Sequence, residues 1–180
     1  MAEKRDDALL LTERFTDAVR FAWRVHQGQL RKGTATPYLS HPLAVASLVL
    51  EDGGDEDEAI AALLHDAIED QGGAAARDDI RRRFGTPITE TVDGCSDADT
   101  TPKPPWRQRK EAFIARLADA SPSARLVTAA DKLDNARALV RAYRALGESL
   151  WSHFRGGRDG TLWYARTVTD TLGAIERTDL

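Results

Sequence analysis

A chain of 180 residues, 42% hydrophobic and 30% charged, is long enough to bury a sizeable core and reads as a single domain over residues 1–180. The formal net charge of -4 argues against a general nucleic-acid binder, and a lone cysteine, Cys95, excludes an internal disulfide and a cysteine-based zinc site. No apolar run approaches the ~18 residues of a membrane span, and the run after the charged start is too short for a secretory signal, so the expected compartment is a reducing cytoplasm.

Leu11, Phe15, Ala18, Ala22 and His26 recur at helical spacing and predict a long first helix. RKGTATP, punctuated by Gly33 and Pro37, reads as an irregular loop. A second helix is expected from about His41 to Leu50, ending at Gly53-Gly54. Asp55 is the expected N-cap of a third, with Glu58 three residues on completing a capping-box pattern; Gly72-Gly73 closes it. A fourth, short helix holds Asp78 to Phe84. Thr86-Pro87 reads as the N-cap and first-turn proline of a fifth. DADTTPKPP is a second loop, and a sixth helix follows from Trp106 to Ala118. Ser121-Pro122 opens a long seventh reaching about Leu146, and two further helical patterns flank the loop RGGRDG. No run alternates as a strand would. The expected fold is all-α, about eight or nine helices in one compact domain.

The most polar part of an otherwise apolar helix is the end of AALLHDAIED. There His65, Asp66, Glu69 and Asp70 stand beside Leu63, Leu64, Ala67 and Ile68. Adjacent helical side chains diverge by about 100°, yet both can reach an ion lying between them. Imidazole and carboxylate together suit manganese, iron, zinc or a similar divalent ion. Two further donors are available: His41, directly before Pro42 at the start of the second helix, and Asp131 in VTAADKLDN. An aspartate among Val127, Ala129, Ala130 and Leu133 needs a partner, and a metal is one. Glu69 lies four residues after His65 and Asp70 four after Asp66, so both return to the metal-facing side of the helix. A carboxylate there can orient a water, take its proton or donate to a leaving oxygen. That is hydrolytic chemistry on a phosphate ester or anhydride.

The substrate side needs cations. Arg31 and Lys32 precede His41, and Lys132 and Arg137 bracket Asn135. Arg107, Arg109 and Lys110 are read as the wet face of a helix, with Lys103 and these three a weaker option for distal phosphates. His26, on the core-facing stripe of the first helix, reads as structural. Trp151, Phe154, Trp163 and Tyr164 read as packing residues, and Cys95 as a small buried hydrophobe.

The order His41, His65-Asp66, Asp131 resembles the H…HD…D pattern of the HD phosphohydrolase superfamily. HQGQLRKGTATPYLSHPLAVA, LLHDAIED, FGTPITETVDGCSD and LVTAADKLDNAR resemble the hydrolase domain of Rel/SpoT homologues and the stand-alone small alarmone hydrolases, over about Ala18 to Arg144. The resemblance implies one Mn2+ held by His41, His65, Asp66 and Asp131. It makes Glu69 and Asp70 the catalytic acidic pair, and Arg31, Lys32 and Asn135 substrate contacts; Lys132, beside them, joins the substrate side. The implied reaction removes the 3′-pyrophosphate from (p)ppGpp. RKGTATPY differs in length and glycine position from the commonest RKSGEPY form, which keeps (p)ppApp as an alternative substrate. A more general HD nucleotidase and a non-catalytic nucleotide sensor are the other readings.

Overall fold

A computed structural model describes residues 11–71, 73–97 and 102–175, with residues 70 and 71 described by their backbone alone. Gly72, part of the second loop and the Asp70 carboxyl therefore lie outside the described residues. Among those described, the chain forms nine α-helices, one 3-10 helix and no strand. The sole strand-like feature there is an isolated bridge between Leu30 and Pro37.

In chain order the helices are α1 (Glu13–Val25), α2 (Ser40–Glu51), α3 (Glu56–Leu64), α4 (Ala67–Gln71), α5 (Ala74–Phe84), α6 (Thr86–Cys95), α7 (Trp106–Leu117), α8 (Pro122–Leu146) and α9 (Gly157–Ile175), with the 3-10 helix at Gly147–His153. The centre is α3. Ala59 to Leu64 are all fully buried, so this part of the helix is apolar on every side and has to be surrounded. It is enclosed by α1, α2, α6 and α8. Its start is set by a capping box: Asp55 accepts from the Glu58 amide at 2.9 Å, and Glu58 accepts from the Asp55 amide at 2.9 Å, satisfying two amides that the helix leaves open.

Two boundaries differ from the sequence expectation in ways that matter. The third helix does not run unbroken to Gly72: α3 ends at Leu64 and α4 begins at Ala67. The His65 ring hydrogen-bonds the Ala62 carbonyl at 2.8 Å, the carbonyl that a continuous helix would give to the Asp66 amide. RGGRDG is not a loop throughout, because Gly157 onward belongs to α9. Smaller shifts occur at α5, which starts at Ala74, and at α6, where Gly85 rather than Thr86 is the N-cap. Ser121 caps α8 as expected, accepting from the Ala124 amide at 3.2 Å.

A second, smaller apolar cluster joins α7 to α9 through Phe113, Leu117 and Val168. Trp106 packs there against Trp163 and Tyr164, with ring centroids 6.3 and 6.4 Å apart. Packing of α7 and of α9 on one another, and of α9 on α8, places this cluster beside the Asp131 helix.

Candidate active site

Three helices deliver the donors. His41 is the second residue of α2, His65 and Asp66 occupy the break between α3 and α4, and Asp131 sits within α8. Because α2 packs on both α3 and α8, the donors converge. His41 Nε2 lies 3.2 Å from Asp131 Oδ1 and 3.7 Å from Asp66 Oδ2. His65 Nε2 lies 3.1 Å from Asp66 Oδ2 and 3.8 Å from Asp131 Oδ1. The donor atoms of His41, His65 and Asp66 all fall within 4.8 Å of one another.

The protons decide what this cluster can hold. A carbonyl only accepts, so His65 Nδ1 carries the hydrogen toward Ala62. A carboxylate likewise accepts from His41 Nδ1, 2.7 Å from Asp134 Oδ2. Both Nε2 atoms then present lone pairs inward. His65 Nε2 is buried with no hydrogen-bond partner among the described residues. Two lone pairs facing two carboxylates form a donor set that fits a cation, and nitrogen with oxygen donors suits a divalent transition ion. When a proton is the only cation on offer, burial pushes the His65 pKa down, but Asp66 and then Asp131 outweigh it and raise it to about 9.

The two carboxylates are braced. Tyr38 donates its hydroxyl to Asp66 Oδ2. The Asn135 amide donates to Asp131 Oδ1, and Lys132 Nζ lies 2.5 Å from Asp131 Oδ2. Burial alone would raise the Asp131 carboxyl; Lys132 and the two histidines reverse that and hold it well below the usual range. Lys132 and Asn135, expected on the substrate side, are thus placed on Asp131. The Lys132 ammonium also lies 5.3 Å from the Phe113 ring centre and 5.4 Å from that of Tyr164.

Glu69 faces a second group of charges. Lys103 Nζ is 3.0 Å and Arg109 Nη1 3.7 Å from its Oε1. Burial and the neighbouring Asp97 raise the Glu69 carboxyl above its ordinary range, with Lys103 opposing. Arg109 is not on a wet face: it is 7% exposed and, with Lys110, binds the buried Asp97. Removing such a charge from water needs a partner, and Asp97 is that partner. Arg107 does remain at the surface, paired with Glu111 at 2.7 Å and stacked 3.3 Å over Trp163.

On the other side, Arg31 lies 3.3 Å from Asp134 Oδ2, whereas Lys32 is exposed, with its ammonium 5.9 Å from the Phe154 ring centre. The loop between them and α2 is closed by Arg31 N–H to Thr36 O at 2.9 Å and Tyr38 N–H to Gln29 O at 2.8 Å. His26 is buried beside Tyr38 and pairs with Gln29 at 2.7 Å; it stays away from the donor cluster, as a structural residue does. Cys95 is partly buried, and burial pushes its thiol up to about 12.

Three participants were not singled out from the sequence: Asp134, Tyr38 and Asp97. Asp134 had a readable signal, lying three residues after Asp131 and so on the same helix face. Tyr38, in a loop, and Asp97, past the end of α6, had none that local periodicity supplies.

A histidine at the start of one helix, a His-Asp pair in a helix break and an aspartate inside a long helix, all in an all-α fold, define a metal-site class of phosphohydrolase domains. The sequence matches the HD domain family over residues 18–162, and the chain belongs to that family. It is 38% identical over 128 residues to the human guanosine-3′,5′-bis(diphosphate) 3′-pyrophosphohydrolase MESH1, covering 69% of each chain. Its likeness to the Drosophila melanogaster protein of the same name is 32% over 162 residues, 88% of this chain and 84% of that one. Among solved structures, a metazoan SpoT orthologue described as hydrolysing ppGpp superposes with a TM-score of 0.78 at 27% identity, over 95% of this chain and 92% of that one.

Proposed function

We propose that this chain is a manganese-dependent hydrolase that removes the 3′-pyrophosphate from ppGpp. The observation that carries the reading is the convergence of the His41 and His65 lone pairs with the Asp66 and Asp131 carboxylates. It occurs in a chain whose human relative is named for this reaction. A divalent ion held by these four residues would neutralise phosphate charge and lower the proton affinity of a water.

The rest falls to the chain's own groups. Glu69, whose carboxyl is raised by burial and by Asp97, accepts the proton of the attacking water, with Asp70 as its partner in the acidic pair. The water oxygen joins the phosphorus on the 3′ oxygen, the P–O3′ bond breaks, and the 3′ oxygen is protonated. Pyrophosphate and the 5′-phosphorylated nucleoside are the products. Arg31 and Lys32 hold the nucleotide, and Lys132 and Asn135 act on substrate by fixing Asp131. Lys103, and Arg109 behind it, keep positive charge next to Glu69, where it offsets the negative charge of the phosphoryl oxygens under attack.

The roles separate in two variants. Asp66→Ala loses both bound manganese and turnover. Glu69→Ala keeps manganese and loses turnover by about 10²–10⁴-fold, the usual worth of a positioned acid–base group. Manganese titration and initial rates on ppGpp read both; equal metal loss in the two variants refutes this division.

A further inference from the structure

Asp134 belongs to neither set of residues described so far, yet it touches both. Its Oδ2 accepts from His41 Nδ1 at 2.7 Å and from Arg31 Nη2 at 3.3 Å. The residue is 7% exposed, and the Arg31 side chain is 14% exposed, laid down against it instead of extended into solvent. We propose that Asp134 is a positioning residue that joins the two halves of the site, fixing the His41 ring toward Asp66 and Asp131 while holding Arg31 ready for the nucleotide. The Arg31 half rests on the hydrolase reading above; the His41 half rests on geometry alone.

The argument for His41 is one of proton placement. An imidazole has two nitrogens and one hydrogen when neutral. The carboxylate at Nδ1 keeps that hydrogen outside the cluster, which leaves Nε2 as a lone pair 3.2 Å from Asp131 Oδ1. A histidine ligand ordinarily has such an outer partner, and losing it typically costs about 10–100-fold in metal affinity or activity. His65 has a backbone carbonyl in this role, which no side-chain substitution removes. His41 has a side chain from a different helix, α8, and its alignment is therefore open to mutation.

The argument for Arg31 is one of preorganisation. A guanidinium offers five N–H donors, and the bond to Asp134 uses one nitrogen, leaving donors for a phosphate. A long cationic side chain already pinned loses less rotamer freedom when it binds. Asp134 lies on the helix that also carries Asp131, Lys132 and Asn135, so one turn of α8 sets a metal-site carboxylate, its two braces and the grip on the loop.

The test uses the full chain with Asp134→Ala and Asp134→Asn, checked for folding by circular dichroism and melting temperature. Mn2+ is titrated calorimetrically without nucleotide; ppGpp kinetics are then measured at saturating Mn2+. Asp134→Ala is expected to weaken Mn2+ binding about tenfold or more. Asp134→Asn, which keeps an acceptor for His41, should weaken it by less but by at least about threefold. At saturating Mn2+, Asp134→Ala should raise KM severalfold with a much smaller change in kcat. Wild-type Mn2+ affinity in a folded Asp134→Ala chain overturns the His41 half, and wild-type KM overturns the Arg31 half. If the alanine variant does not fold, unchanged Mn2+ affinity in the asparagine variant overturns the proposal. A wild-type chain that binds Mn2+ but leaves ppGpp intact overturns the hydrolase reading and with it the Arg31 half, while the Mn2+ titration still decides the His41 half.

Discussion

At the scale of single residues, Glu69 shows how surroundings set chemistry. Its carboxyl is displaced upward by burial first and by Asp97 second, with Lys103 pulling the other way. In its proposed role as a base it works only when deprotonated. The rate should therefore rise with pH along a limb displaced from the ordinary glutamate range toward neutrality. Asp97→Asn removes a negative charge near Glu69 and releases Arg109 and Lys110 from their partner. Both changes favour the Glu69 carboxylate, so that limb should move to lower pH in the variant. A pH–rate profile of kcat for the two proteins checks this, and a limb that stays in place or moves up contradicts it. At this scale the sequence was readable where chemistry and neighbours agreed: an aspartate among Val127, Ala129 and Ala130 had to be satisfied, and Asp131 is held by Asn135 and Lys132 beside two histidines. It was not readable for Arg109. Three basic residues within four positions look like a solvated face, and only the tertiary pairing of Arg109 with Asp97, past the end of α6, buries one of them.

At the scale of elements, capping chemistry carried furthest. Asp55 with Glu58 and Ser121 with Ala124 are local contacts, and local rules find them. The break at His65-Asp66 is different. Nothing in AALLHDAIED interrupts helical periodicity; at the interruption the His65 imidazole hydrogen-bonds the Ala62 carbonyl. His65 and Asp66 both lie in this break and both reach the donor cluster. In RGGRDG the glycines have two causes: Gly157 takes a positive φ of 59° with open space around it, whereas Gly156 is set by close packing. A Cβ on Gly156 would meet Trp106 at 2.7 Å, and the indole has little room to retreat because Trp163 and Tyr164 pack against it. Gly156→Ala should therefore cost about 1–3 kcal/mol, the usual range for overpacking. Reversible thermal or urea unfolding reads that cost, and wild-type stability would show that the α7–α9 contact relaxes freely.

At the scale of the molecule, the fold works by enclosing one helix. With Ala59 to Leu64 of α3 fully buried, the helix runs its C-terminal end into the protein, where Ala62 O and Tyr38 hydrogen-bond His65 and Asp66 and His41 and Asp131 approach them from α2 and α8. An all-helical chain follows from the periodicity of its segments; the meeting of residues 41, 65, 66 and 131 follows from the packing of three helices, which no single segment encodes. The H…HD…D order is what made that meeting legible. No described helix is long and apolar enough to cross a membrane. The small aromatic layer of α7 and α9 closes the Lys132 side of the site, tying the second cluster to the first.

The most direct measurement is product analysis. Purified chain with Mn2+ is incubated with ppGpp and, in parallel, with ppApp, and the products are resolved by ion-exchange chromatography. Pyrophosphate and GDP are expected from ppGpp, abolished by chelation, with the relative rate on ppApp reporting the base preference. Intact ppGpp in the presence of a metal-loaded protein would contradict the hydrolase reading.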